Sequence, residues 1–132
     1  MEEAKEIVNN IQKGSVSPLY FLMGEEPYYI DRISDFIAQN LLAEEEKGFN
    51  QIIMYGRDTN IDEIVSNAKR YPMMAERQVI IVKEAQDLSR SIEKLVDYAE
   101  NPQPTTTLVF CYKYKSLDKR KKLSKVLKKN GI

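Results

Sequence analysis

The sequence contains no histidine, so the side chain most often used as a general base or metal ligand is missing. Any hydrolytic chemistry would fall to carboxylates or lysines. A single cysteine, Cys111, excludes an internal disulfide. No charged leader with an apolar run and a small-residue cleavage site precedes the first helical pattern, and a reducing, cytoplasmic location is expected. The longest apolar runs, such as Val79 to Val82, have only strand length. A membrane-crossing helix needs roughly 20 apolar residues, so no membrane span is expected. Glycine and proline are scarce, five of each, which excludes collagen-like and low-complexity classes.

What is present describes one folded unit. A chain of 132 residues is long enough for one buried core and too short for two substantial ones. Hydrophobic residues make up 42% and charged residues 30%, in the globular range. The net charge of zero is unevenly spread. Between Lys113 and Lys129 nine residues are basic and one, Asp118, is acidic, so the remainder is acidic.

Periodicity orders the chain. Ile7, Val8 and Ile11 share one helical face, and Gly14 follows where a helix favours a left-handed end. Pro18 to Met23 is a continuous apolar run, as in a strand covered on both faces, and Gly24 ends it. Pro27 then opens a helix with the stripe Ile30, Ile33, Ile37 and Leu41, with Glu25 and Glu26 at its positive end. Phe49 to Tyr55 predicts a second strand. Thr59 or Asn60 caps a helix with the face Ile61, Ile64, Val65 and Ala68, stopped by Pro72. Gln78 to Val82 predicts a third strand, followed by a helix striped with Ile92, Leu95, Val96 and Ala99. Thr105 to Tyr112 predicts a fourth, and Leu123, Val126 and Leu127 stripe a basic last helix that ends at Asn130-Gly131. A leading helix and four strand-helix pairs with short joints predict an α/β domain, an open parallel sheet with helices on both faces.

In such sheets ligands bind beyond the carboxyl ends of the strands, most often at the turn after the first. A phosphate loop there needs several glycines, a lysine and a serine or threonine for magnesium. The turn from Met23 to Tyr29 has one glycine, none of the other groups, two repelling carboxylates, and Pro27 with no amide to donate. The end of the third strand is the place for a metal-holding aspartate and a water-positioning glutamate. Lys83 occupies the first position, which leaves Glu84 alone and favours a solvated strand-end charge. Cys111 has no histidine to activate it and is expected to be a buried structural thiol. No cofactor is expected.

Two stretches, Pro18-Leu-Tyr-Phe-Leu-Met-Gly-Glu-Glu-Pro-Tyr-Tyr-Ile-Asp31 and Tyr71-Pro-Met-Met-Ala-Glu-Arg-Gln-Val-Ile-Ile-Val82, resemble the delta-subunit family of the bacterial DNA polymerase III clamp loader. The resemblance runs over essentially the whole chain. It implies an AAA+-like, P-loop NTPase-like domain without the ATP-binding motifs, with hydrolysis left to sister subunits. It also implies that residues 1–132 are the first of three domains, the others lying beyond Ile132, and that the partners are the sliding clamp, other loader subunits and primed DNA. The family pries open one interface of the clamp, and the resemblance places the wedge on Met73 and Met74, presented by Pro72. Where the family often has Leu-Phe, this chain has Met-Met.

Independently of the resemblance, Met73 and Met74 belong to neither the helical stripe before them nor the strand pattern after them. Methionine is flexible and polarizable, and two together make an apolar tip able to fill an irregular pocket; the alternative is that they fold back over the core. The basic last helix, with Lys119, Arg120, Lys122 and Lys125, is a second candidate surface, for DNA phosphates or a partner, though a charged helix is often simply a solvated one. Two competing functions are a divergent nucleotide hydrolase using Glu84 with Lys83, and a salt-dependent nucleic-acid module led by the last helix.

Overall fold

The computed structural model describes residues 2–130. Among them are helices α1 (Glu2–Gln12), α2 (Pro27–Asn40), α3 (Glu44–Asn50), α4 (Ile61–Ala68), α5 (Val96–Glu100) and α6 (Lys122–Asn130). The strands are β1 (Leu19–Gly24), β2 (Gln51–Tyr55), β3 (Gln78–Lys83) and β4 (Thr106–Lys113). All pair in parallel in the order β1-β4-β3-β2. The expected open α/β sheet is the one observed.

Alternation along each strand divides the core between the two faces of the sheet. Tyr20, Leu22, Val79, Ile81, Val109 and Cys111 pack with Ile11 of α1 and Ile30, Ile33 and Ile37 of α2. Leu19, Phe21, Ile80, Val82, Leu108 and Phe110 face the other way, toward Ile61 and Ile64 of α4, Ala99 of α5 and Leu123 and Leu127 of α6. Burial on both faces explains why β1, β3 and β4 read as unbroken apolar runs. On the second face Phe21 stacks on Phe110 with ring centroids 5.4 Å apart.

Three local expectations need correction. Phe49 lies in the last turn of a helix and does not begin a strand: Glu44, Glu45 and Glu46 occupy the first turn of α3, where they complement its positive end. The Glu46 carboxylate also accepts a hydrogen bond from the Ala43 amide, and Phe49 projects into solvent, 75% exposed. The helix predicted after β3 is instead a pair of 3-10 turns, Ala85–Leu88 and Ile92–Leu95, leading into the short α5. Glu84 takes a left-handed conformation at φ 52° and so blocks a helix from starting directly at the strand end. Pro72 does not stop α4 either. That helix ends at Ala68, whose carbonyl accepts a hydrogen bond from the Thr106 hydroxyl at 2.7 Å. Asn60 is its cap, accepting from the Glu63 amide at 2.8 Å. Gly131, expected to close the last helix, lies outside the described residues.

One glycine is demanded by close approach. A Cβ on Gly56 would lie 2.3 Å from the Glu84 carbonyl oxygen, a backbone atom that cannot swing aside. Gly56→Ala is therefore expected to lower stability by about 2 kcal/mol, as overpacking does, and to lower the melting temperature by several degrees in a calorimetric scan.

Candidate partner-contact site

The carboxyl edge of the sheet is occupied by the protein's own groups. Gly24, at φ 139°, donates its amide to the Lys115 carbonyl at 3.2 Å and accepts from the Tyr114 amide at 2.8 Å. The Tyr28 amide, near the start of α2, donates to the Glu26 carboxylate. Two turn amides that a phosphate cradle would turn outward are thus satisfied internally. Across the edge, the Lys113 ammonium lies 2.8 Å from Asp31 of α2 and 3.0 Å from Glu84, tying α2 to the ends of β3 and β4. Gln86 donates to Glu84 at 2.8 Å and accepts from the Lys113 amide at 3.1 Å.

These contacts correct the reading of Glu84 as a merely solvated charge. Hydrogen bonds from Gln86 and Lys113 hold its carboxyl below the ordinary value. Burial works against the Lys113 ammonium, but its bonds to Asp31 and Glu84 outweigh that and raise its pKa. Lys83 is paired elsewhere, 3.6 Å from Asp35. Among the described residues no group of three or more His, Cys, Asp or Glu is placed to hold a metal ion. Cys111 is buried, as expected, and burial pushes its thiol up to about 11, the opposite of what a nucleophile needs.

The methionine pair lies at the other end of the sheet, on the segment that enters β3. Tyr71, Met73 and Met74 are 76%, 57% and 100% exposed, so neither methionine folds back over the core. Met74 holds a left-handed backbone at φ 56°, a conformation costing a residue with a Cβ about 1 kcal/mol.

Buried polar side chains hold the base of this loop. Asn50, at the end of α3 and only 2% exposed, grips Met73 by both main-chain groups. Its Oδ1 accepts from the Met73 amide at 2.6 Å, and its Nδ2 donates to the Met73 carbonyl at 2.8 Å. The same Nδ2 reaches the Glu46 carbonyl at 3.0 Å. On the far side of the tip, Gln78 Nε2 donates to the carbonyls of Asn67 and Arg70 and to the Thr106 hydroxyl. The tip is thus an apolar knuckle on a braced stem. Beside it Met74, Ala75 and Arg77, together with Leu41, Leu42 and Glu46, help line a cleft of about 650 Å³.

Pro72, Met73 and Met74 are therefore together at the surface. Sequence reasoning missed Asn50, whose partner lies 23 positions away; an asparagine at a helix end carries no local sign of such a role. It also missed exposed Phe49 and Tyr71, the first because it was assigned to the start of a strand.

The residues expected to contact DNA or a partner lie apart from this tip, on and just before α6. Arg120 forms a two-bonded pair with Asp118, and Lys122 lies 3.8 Å from Glu100. Lys119 and Lys125 are exposed and make no ion pair among the described residues.

Comparison with known proteins agrees with this architecture. A family model described as DNA polymerase III, delta subunit, matches residues 20–132. The DNA polymerase III subunit delta of Bacillus subtilis (strain 168) is 31% identical over 136 aligned residues, which cover 96% of this chain and 39% of that protein. The solved Bacillus subtilis DNA clamp loader delta protein superposes with a TM-score of 0.83 at 29% identity, over 97% of this chain and 40% of its own. A Thermotoga maritima DNA polymerase III gamma subunit-related protein, 13% identical, matches with a TM-score of 0.54 over 98% of this chain and 44% of its own, a likeness of fold alone. The chain thus spans about two fifths of the length of these Bacillus relatives. With the family model matching most of its length, the chain belongs to the DNA polymerase III delta subunit family.

Proposed function

We propose that this chain is the clamp-contacting part of a clamp-loader subunit in DNA replication. Its Met73–Met74 tip docks on the sliding clamp and helps hold one ring interface open for loading onto primed DNA. It hydrolyses no ATP itself; sister subunits of the loader do so. The observation that carries this reading is the fully exposed Met74, held in a left-handed conformation on a loop clamped by Asn50. A large apolar side chain in an unfavourable backbone conformation, on a loop held by hydrogen bonds from the buried Asn50 to the adjacent Met73 main chain, has no use within the fold and suits a partner's pocket. The nucleotide-hydrolase alternative finds little support where Glu84 is bound to Lys113 and Gln86.

Met74→Asn separates presentation from contact. Asparagine tolerates the left-handed backbone, so the variant should be more stable than the parent by about 0.5–1 kcal/mol. The lost apolar contact should weaken clamp binding roughly tenfold. Calorimetric melting and a fluorescence titration with the cognate clamp give both numbers. A more stable variant that binds the clamp as tightly as the parent would remove Met74 from the interface.

A further inference from the structure

A second surface, distinct from the methionine tip, combines an apolar floor with a basic rim. After β4 the chain reverses at Tyr114, which is left-handed at φ 66°. It then runs back beside the end of β1: Gly24 donates to the Lys115 carbonyl, and the Leu117 amide meets the Met23 thioether sulfur at 3.4 Å. This reversal leaves a groove of about 350 Å³ lined by Phe21, Met23, Leu117 and Leu127 together with the exposed Lys119 and Lys128. We propose that this groove docks an acidic peptide segment carrying a bulky apolar side chain, supplied by another protein.

Charge, shape and chemistry each narrow the occupant. No carboxylate lines the groove, and Asp118, the one acid in the basic segment, is held by both ends of the Arg120 guanidinium. Lys119 and Lys128 make no ion pair among the described residues, and exposed Lys121 and Lys125 add further positive charge nearby in the sequence. The volume lies within the range of pockets that bury a compact ligand group. Met23, 42% exposed, offers an adaptable thioether wall.

A DNA backbone would use the lysines and leave the apolar floor unoccupied. Unpaired bases would need an exposed aromatic face within the groove on which to stack, whereas the one aromatic residue lining it, Phe21, is 5% exposed and already stacked on Phe110. An acidic peptide with an apolar side chain uses both features at once, the carboxylates meeting the lysines and the side chain filling the groove.

The probe is a fluorescein-labelled peptide, Glu-Asp-Glu-Asp-Leu-Phe, titrated by anisotropy against the whole chain at low salt. Its controls are Glu-Asp-Glu-Asp-Ser-Ser and a short DNA duplex. The Leu-Phe peptide should bind at least about tenfold more tightly than the Ser-Ser peptide, because only the former places apolar area in the groove. The double charge reversal Lys119→Glu/Lys128→Glu changes exposed residues only, and should weaken the Leu-Phe peptide at least about tenfold while the circular dichroism spectrum stays unchanged. Met23→Ser should weaken the Leu-Phe peptide and leave the Ser-Ser peptide unaffected. Three results would overturn the assignment: equal binding of the two peptides, tighter binding of the duplex than of the Leu-Phe peptide, or no binding of any probe.

Discussion

Serine at both Met73 and Met74 is expected to weaken binding of this chain to the sliding clamp at least about 100-fold. Burying one large apolar side chain at an interface contributes about 1.5–3 kcal/mol, and each 1.4 kcal/mol is a tenfold change in affinity, so two methionines together account for that loss or more. The fold should not register the change. The side chains are 57% and 100% exposed, and the hydrogen bonds that fix the loop run to the Met73 main chain, which serine retains. A surface-plasmon titration against immobilised clamp, with melting curves in parallel, tests both statements. Affinity within about threefold of the parent would show that the apolar tip contributes less than about 1 kcal/mol and is not the principal contact.

Asn50→Ala acts on the same site from inside. The substitution removes both partners of the Met73 main chain and one bond to the Glu46 carbonyl, at a residue only 2% exposed. A buried polar group left unpaired costs about 1–3 kcal/mol, so a loss of about 2–3 kcal/mol of stability is expected where water can relieve part of the damage. Clamp affinity should also fall, roughly tenfold, although Asn50 lies at the base of the loop and the tip itself is unaltered. The loop would have to be ordered on binding, and that entropy is drawn from the binding free energy. Asn50→Asp keeps an acceptor for the Met73 amide and loses the donor to its carbonyl, and should fall between the parent and the alanine variant. If Asn50→Ala lowered the melting temperature and left clamp affinity intact, the asparagine would be bracing the fold without presenting the tip.

The parts of this fold legible in the sequence are those whose signals are local and repetitive. Pro18 to Met23, Gln78 to Val82 and Thr105 to Tyr112 read as buried strands because helices on both faces of a parallel sheet exclude polar residues from either side. Residues whose partners are distant were not legible. Phe49 reads as strand by type, but the three glutamates before it form the first turn of a helix, and a seven-residue helix leaves too short a pattern to recognise. The Asp31–Lys113–Glu84 cluster joins one helix and two strand ends, and it exists only once β3 and β4 are in register.

The candidate site shows the same division. Met73 and Met74 stood out because neither flanking pattern accommodates them. Nothing in their neighbourhood indicates that Asn50 holds them, since the side chain closes on main-chain atoms that any residue would offer. Position within the fold was equally hidden. The general rule for open α/β sheets directs attention to the carboxyl ends of the strands, where this chain binds itself through Lys113 and Glu26. The exposed apolar tip lies at the opposite edge, on the segment entering β3.

Methionine methyl resonances test the central claim most directly, because the chain has only five methionines and the tip carries two of them. With the methyl groups labelled by carbon-13 and the protein titrated with unlabelled sliding clamp, the signals of Met73 and Met74 should shift or broaden first and furthest. Partly buried Met54 should stay in place, as should Met23 at the far end of the sheet. Binding that moved Met23 and left Met73 and Met74 unchanged would contradict the assignment of the clamp contact to the tip.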